Sequence, residues 1–364
     1  MARSFHIITQ EPSPRFLGLA LAERNRRIAR RTVGPDAVAA DGDTLRPTLT
    51  IPAGVAITPA LFEALPAPGA AGVWELDWHP NRPPLLWHGP VATATSPRQM
   101  MTLPGGAVLD VATPAARRRS TWRLLRASGK PADGWLSRHV HRRISRLFSY
   151  VFLQLGLSAN LATFATFGVG ALAAWLLAQT SHATMIAGGF LVWFTSIADG
   201  IDGEVARLTL TESALGEQLD TGVDLATYVL ALAGVFVGWR RQGAGWPGAV
   251  LIALVAAGLP IAVFWAMAMV RRARGTRQFF VPTKPIELAI RAAVASGAPA
   301  PLRAASAVFV LFRREAFSLA FFLVSLATGR RIVFPALIAC GLLIVAATLY
   351  AYRPRIEQEL RALA

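Results

Sequence analysis

Between Ser196 and Asp224 the chain reads SIADGIDGEVARLTLTESALGEQLDTGVD, setting Asp199, Asp202, Arg207, Asp220 and Asp224 between two runs that are otherwise almost wholly apolar. On a helix advancing about 100° per residue, Asp199, Asp202, Gly203 and Ala206 stand at i, i+3, i+4 and i+7 and share one face. Gly216, Asp220 and Asp224 stand at i, i+4 and i+8 along one ridge of the next segment. Two helices can thus turn four carboxylates towards a common space, with Gly and Ala keeping bulk away so that a ligand or a backbone can approach. Four facing carboxylates repel one another, and each costs roughly 3 kcal/mol near mid-bilayer, so a cation belongs among them. Arg207 supplies a single charge. A divalent metal supplies more, and all-oxygen ligation points to Mg2+ or Mn2+, with Ca2+ as an alternative. A pair of ions sharing carboxylates from two helices would suit displacement at phosphorus. Taken singly, each Asp would also fit a loop that caps a helix end; the joint spacing favours a site.

The elements that must hold these residues are membrane helices. Of the 364 residues, 54% are hydrophobic and 16% charged, and the mean hydropathy is +0.43, a combination too apolar for a soluble domain of this size. The formal net charge is +16, but the basic residues cluster beside apolar segments, which favours an anionic membrane surface as partner over nucleic acid. No basic and aromatic residues interleave as in a nucleic-acid module. The single cysteine, Cys340, excludes an intrachain disulfide, and the six His show no zinc spacing.

Candidate spans, each near the ~20 residues needed to cross the hydrocarbon core, lie at roughly 156–178, 183–205, 217–239, 246–270, 315–329 and 331–352. The fifth is short and could start near Ala304, which would bring Arg313, Arg314 and Glu315 into a helix. Ten basic residues and one acid, Asp133, lie between Arg117 and Arg146; nine Lys/Arg and one acid, Glu287, lie between Arg271 and Arg314. The positive-inside rule puts both stretches and the Arg353–Arg361 tail in the cytoplasm, which six spans satisfy. Arg240, Arg241, Arg330 and Arg331 fall on the opposite side and weaken that bias. The start, MARSFHIITQEPSPRF, has no apolar core with a cleavage site, so the first third is expected to stay cytoplasmic. The expectation is an integral cell (inner) membrane protein with both termini in the cytoplasm.

Residues 1–128 read as a small cytoplasmic α/β domain: FHIIT, TLTIP, GVWELDW and AVLDV look like strands, and LGLALAERNRRIARR like a helix with a basic face. Residues 129–155 form a basic juxtamembrane segment. A helix there with Arg138, Arg142 and Arg146 on one side and Val140, Ile144, Leu147 and Phe148 on another would lie on the membrane surface or serve as a solvated linker. Residues 156–352 make the six-helix domain and 353–364 a cytoplasmic tail. The fold class is therefore mainly α: six transmembrane helices preceded by a small cytoplasmic α/β domain.

Asp199-x-x-Asp202-Gly203-x-x-Ala206-Arg207, eight residues, Gly216-x-x-x-Asp220-x-x-x-Asp224 resembles the complete signature of the CDP-alcohol phosphotransferases, membrane enzymes with six transmembrane helices. Eight specified positions at fixed spacing make it a specific signal. The resemblance covers roughly residues 130 to 352. It implies attack by an acceptor hydroxyl on the β-phosphorus of a CDP-alcohol, with release of CMP. It further implies that Asp199, Asp202 and Asp220 hold metal against the pyrophosphate and that Asp224 completes the metal site and acts as general base. Gly203 and Ala206 would leave room for the cytidine nucleotide, with Arg207 and Gly216 beside them. Ahead of the first span, LSANLAT resembles the family's Pro-Asn-x-x-Thr element through Asn160 and Thr163, with Ala159 in place of Pro. The resemblance implies a homodimer.

A narrower likeness lies in GKPADGWLSRHVHRRIS, where Lys130, Asp133, Gly134, Ser137, Arg138, Arg142, Arg143, Ile144 and Ser145 resemble the junction of bifunctional inositol-phosphate cytidylyltransferase and di-inositol-phosphate-phosphate synthase proteins. Their N-terminal nucleotidyltransferase domain carries an Asp-x-Asp-Thr-Pro element, which here reads Asp110-Val111-Ala112-Thr113-Pro114. With Ala112 at the second Asp, no Gly-rich nucleotide loop and only ~130 residues, the domain reads as a degenerate relative that no longer makes CDP-alcohol and serves to scaffold, regulate or bind acceptor. Asp77, His79 and His88 are read as surface or turn residues.

The signature speaks to the CDP half of the donor. CDP-diacylglycerol would make the chain a phospholipid synthase, and a polar donor such as CDP-inositol would make a soluble phosphodiester. The acceptor could be an inositol phosphate, glycerol phosphate or a lipid. Arg271, Arg272, Lys284 and Arg313 could bind a phosphorylated acceptor or simply anchor the cytoplasmic side. Two other classes keep intramembrane carboxylates: a transporter or channel, which would usually show broken helices or paired repeats, and a catalytically inactive membrane anchor.

Overall fold

The computed structural model describes residues 5–11, 14–35, 47–65, 72–89, 98–129, 134–277, 284–295 and 314–362. The chain divides into two compact units, one of residues 1–128 with 153–156 and 207–211, the other of the remainder.

The four expected strand segments of the first unit all form strands: β1 (His6–Thr9), β4 (Thr48–Ile51), β6 (Val73–Asp77) and β9 (Val108–Asp110); the short pair β2 (Arg15–Phe16) and β3 (Leu19–Ala20) and the short helix α2 (Ala60–Ala64) lie between them. Strands β7 (Leu85–His88) and β8 (Arg98–Thr102), beyond the four expected, complete a five-stranded sheet in the order β1-β4-β7-β6-β8. Its outer pairs, β1 with β4 and β6 with β8, are parallel; the inner pairs are antiparallel. A parallel neighbour requires a crossover, and helix α1 (Leu21–Val33) lies between β1 and β4 in sequence. Asn25 on α1 is fully buried and satisfied: its amide donates to Val55 O at 3.1 Å and accepts from Ile57 N at 3.1 Å, pinning α1 to β5 (Val55–Ile57), the partner of β9. Leu49, Ile51, Leu76, Leu85 and Trp87 fill the core on the sheet.

Residues 110–114, at the end of β9, have a local structural use. Thr113 caps α3 (Pro114–Ala127), accepting from Ala116 N at 3.1 Å, with Pro114 in the first turn where its missing N–H is harmless. Asp110 accepts from Arg82 at 2.7 Å and from Ala112 N at 3.0 Å. Ala112 packs so closely on Gly54, at φ +73°, that a Cβ there would lie 2.5 Å from the Ala112 Cβ. His79 sits in a turn and accepts from Asn81 N at 3.2 Å.

The second unit is helical. After a single π-turn at Ser137–His141 come α4 (Arg142–Leu155), α5 (Ala159–Leu177), α6 (His182–Thr209), α7 (Ala214–Arg241), α8 (Trp246–Arg274), α9 (Lys284–Ala295), α10 (Arg314–Thr328), α11 (Val333–Ala351) and α12 (Arg353–Ala362). Four of these, α5 to α8, are long and apolar enough to cross a membrane. The residues from Pro335 of α11 with α12, bent by 79°, give up to a fifth. The fifth expected span falls on α10, whose 15 described residues extend about 22 Å, short of the ~30 Å hydrocarbon core. The earlier start near Ala304, and Arg313 with it, lie outside the described residues. Leu161, Phe164, Leu172, Trp175, Val250, Leu254 and Ile261 project outward from α5 and α8, as lipid-facing residues do. Inside, α5 and α7 approach backbone to backbone at Gly234, where a side chain would collide with the Ala174 carbonyl. Small residues take this role where apolar surroundings provide no hydrophobic drive for helix association.

Of the Arg residues that weakened the charge bias, Arg240, Arg241 and Arg331 have structural partners. Arg331 is 2% exposed and donates to Leu177 O and Gln179 O at the end of α5. Arg241 donates to Ala178 O at 3.1 Å, and Arg240 lies 4.1 Å over the Trp246 ring while donating to Ala244 O. Arg331 and Arg241 thus satisfy carbonyls that α5 leaves open at its C-terminal end, while Arg240 ties down the loop after α7.

Candidate metal centre

Helices α6 and α7 extend a few residues beyond the spans 183–205 and 217–239 expected from hydropathy, and the acidic residues lie within them. All four Asp stand on helix, none in a capping loop. Two local features fix this. Leu210 adopts φ +59°, a left-handed setting that a non-Gly residue rarely takes and that stops α6 at Thr209. Ser213 then opens α7, its hydroxyl accepting from Gly216 N at 3.0 Å. Gly216 of the signature thus lies in the first turn of α7, one turn before Asp220.

The geometry gathers three of the four carboxylates. Asp199, Asp220 and Asp224 each offer an oxygen such that all three lie within 4.8 Å of one another. Asp202 is 8% exposed. Its carboxylate accepts from Thr163 Oγ1 at 2.8 Å and from Gly203 N at 2.5 Å, and it meets the Asp220 side chain. Thr163 comes from α5, whose first turn also carries Asn160, an exposed residue. Ser158 caps α5 by accepting from Leu161 N at 3.2 Å, so the helix starts at Ala159 without the family's Pro.

Gly203 and Ala206 follow on the Asp199–Asp202 face of α6, both half-buried, and Arg207 comes next on the same helix. Arg271 and Arg272 lie in the last turn of α8 and Lys284 begins α9.

One residue of the site was not assigned from sequence. Arg314, the first residue of α10, donates through Nη1 to Asp199 Oδ1 at 2.5 Å and to Asp224 Oδ2, while its Nη2 reaches Thr195 O at 3.4 Å. Its guanidinium stands 5.8 Å from the centre of the Tyr228 ring, one turn beyond Asp224. The available signal was a basic pair at the border of an apolar run, which hydropathy reads as a topology charge. Only folding brings α10 against α6 and α7. A cation between Asp199 and Asp224 is direct structural support for the counter-charge inferred from the sequence, and an all-carboxylate oxygen group of this size fits a hard divalent ion.

Comparison with known proteins agrees with this geometry. Residues 157–309 match the CDP-alcohol phosphatidyltransferase family. Proteins named "Bifunctional IPC transferase and DIPP synthase" are similar to part of the chain. The one from Thermococcus kodakarensis is 37% identical over 116 residues, 32% of this chain and 26% of the relative. That from Rubrobacter xylanophilus is 33% identical over 156 residues, 41% and 35%. That from Archaeoglobus fulgidus is 35% identical over 126 residues, 34% and 25%. The chain spans about a quarter to a third of the length of these relatives. The helices that carry the acids, and the spacing of those acids, fall within the matched residues 157–309.

Proposed function

We propose that the protein is a metal-dependent integral membrane transferase that moves a phospho-alcohol group from a CDP-alcohol to an acceptor hydroxyl and releases CMP. The observation that carries the reading is the meeting of Asp199, Asp220 and Asp224 within 4.8 Å, around a guanidinium that marks their need for positive charge. Asp199, Asp202, Asp220 and Asp224 hold one or two ions of Mg2+ or Mn2+. When bound, such ions neutralise charge on the pyrophosphate and on the departing CMP. Thr163, through its bond to Asp202, sets the angle of that carboxylate. Asp224 is the general base: it takes the proton of the acceptor hydroxyl as that oxygen bonds to the β-phosphorus, and the anhydride bond breaks with its electron pair leaving on CMP. Gly203, Ala206, Arg207, Gly216 and Asn160 line the nucleotide side.

With six spans, α5 to α8, α11 and one that joins α10 to residues before Arg314, both termini would lie in the cytoplasm of a cell whose inner membrane holds the protein. The bonds of Arg240, Arg241 and Arg331 to carbonyls at the end of α5 and in the loop after α7 support this orientation, since residues held by local carbonyls carry little topological information. Residues 1–128 are a degenerate nucleotidyltransferase-like domain, 129–155 an interfacial segment, 156–352 the transferase and 353–364 a tail. Two chains pair in the lipid. The names of the relatives favour an inositol-phosphodiester product over a phospholipid.

The test supplies purified protein with Mg2+ and, separately, CDP-inositol and CDP-diacylglycerol, each with inositol phosphate or glycerol phosphate, and identifies products by mass. CMP release with a matching phosphodiester, lost in Asp220→Asn, is expected. Absence of CMP from every combination would overturn the reading in favour of an anchor or transporter.

A further inference from the structure

Glu204 lies inside the acidic signature and the chemistry proposed above does not use it. It is fully buried on α6, yet its carboxylate is completely engaged. Oε1 accepts from Arg142 Nη1 at 3.0 Å and from Ser145 Oγ at 3.1 Å, and Oε2 accepts from Ser149 Oγ at 2.7 Å. The three donors stand at i, i+3 and i+7 on α4, along a single stripe. One turn before Glu204, Gly200 makes room for them: a Cβ there would lie 3.1 Å from Arg142 Nη1 and 3.2 Å from Ser145 Oγ. Further back, Trp193 donates through Nε1 to His141 Nε2 at 3.1 Å.

Trp193, Gly200 and Glu204 stand at i, i+7 and i+11, so they form one stripe of α6. On a regular helix that stripe is about 150° round the axis from the Asp199–Asp202 face. The juxtamembrane segment therefore grips α6 from behind the carboxylates. Its opposite face carries Leu147, Phe148 and Val151, all exposed, an apolar stripe suited to the membrane interface. An ion pair this deeply buried is retained only with its full set of partners, so the grip has one arrangement. The consequence for the site is rotational. Carboxylate oxygens lie roughly 5–6 Å from a helix axis, so a turn of about 10° moves them by about 1 Å, several times the ~0.2 Å tolerance of metal–ligand distances.

We infer that Glu204 is a positioning residue: clamped by Arg142, Ser145 and Ser149, it fixes the rotational setting of α6 and with it the presentation of Asp199 and Asp202 to a divalent cation. The inference rests on the metal reading of the acidic cluster.

The test titrates full-length protein in detergent with Mn2+ and counts free ion by electron paramagnetic resonance. Alongside wild type run Glu204→Gln, the double variant Ser145→Ala/Ser149→Ala, Asp220→Asn, and Leu177→Ala, a core change at the far end of α5. Melting temperatures are recorded for all. Glu204→Gln and the serine double variant are expected to bind Mn2+ at least about tenfold more weakly, as loss of supporting partners around metal ligands does. Leu177→Ala should stay within about twofold of wild type while melting lower, which a merely structural role for Glu204 would not produce. If Glu204→Gln does not fold, the serine variant decides alone. Equal Mn2+ affinity in wild type and the serine variant, with Asp220→Asn impaired, overturns the positioning role and leaves the metal site standing. Unchanged affinity in Asp220→Asn overturns both.

Discussion

Arg314→Met tests the electrostatic reasoning most directly. The guanidinium lies 2.5 Å from Asp199 and also binds Asp224, with the three side chains 19%, 29% and 25% exposed. With charge centres about 4 Å apart and an effective dielectric of about 20, each attraction amounts to about 4 kcal/mol, hence about 8 kcal/mol in all. A divalent ion entering between the same carboxylates must displace that cation or share the site with it. Much of the gross term returns as the guanidinium rehydrates or finds another anion, and a residue of about 2 kcal/mol corresponds to roughly 30-fold in affinity. Methionine keeps the length and apolar stem of the side chain without the charge. The variant should therefore bind Mn2+ about 10- to 100-fold more tightly than wild type. In metal-free buffer it should melt lower, because Asp199, Asp220 and Asp224 then face one another uncompensated, and added Mn2+ should restore more of its melting temperature than it does in wild type. Calorimetric or spin-resonance titration measures the affinity directly. A variant that binds Mn2+ no more tightly than wild type refutes the view that Arg314 occupies the place of the metal's charge.

Three further outcomes follow from the geometry. Thr163→Val removes the 2.8 Å donor to the buried Asp202 carboxylate at nearly constant volume; a loss of about 1–2 kcal/mol should appear as roughly tenfold weaker Mn2+ binding with the helical circular dichroism unchanged. Burial, reinforced by the nearby Arg314 and Arg142 charges, pushes His141 down to about 4 from its ordinary 6.5. The unfolded chain therefore binds a proton that the folded chain refuses between those values, so stability should fall as pH drops from about 6.5 to about 4, by up to about 3 kcal/mol, a slope that melting curves of His141→Gln should lack. Ala159→Pro should be neutral or stabilising by about 0.5–1 kcal/mol, since Ser158 is already extended at ψ 157°, as a residue before proline must be; a lower melting temperature would show that the first turn of α5 is not as free as its capping implies.

Much of the architecture follows from local chemistry that a linear chain displays. Strand and helix periodicities in residues 1–128 mark β1, β4, β6, β9 and α1, because alternation and 3.6-residue spacing are properties of neighbours in sequence. The same applies to the apolar runs behind α5 to α8. It applies equally to the two ridges of carboxylates, since residues four apart on a helix share a face wherever that helix is placed. Strands β7 and β8 were less visible: LLWH lies next to a Pro pair and RQMMT carries no alternation, so their pairing is made by the sheet and not by propensity.

What the sequence determined by itself was the need for a cation. Four carboxylates in an apolar setting demand compensation whatever surrounds them, and their fixed offsets specify which faces must meet. The tertiary structure alone decided which residues answer that demand. Arg314 is 90 residues from Asp224, Thr163 is 39 from Asp202, and Arg142 is 62 from Glu204. Each pair exists only because helix packing closes a long stretch of chain, and no periodicity can report a contact between segments whose separation is set by how other helices fit. The same holds for Arg331, read from sequence as a topological charge and used by the fold to close the carbonyls of α5.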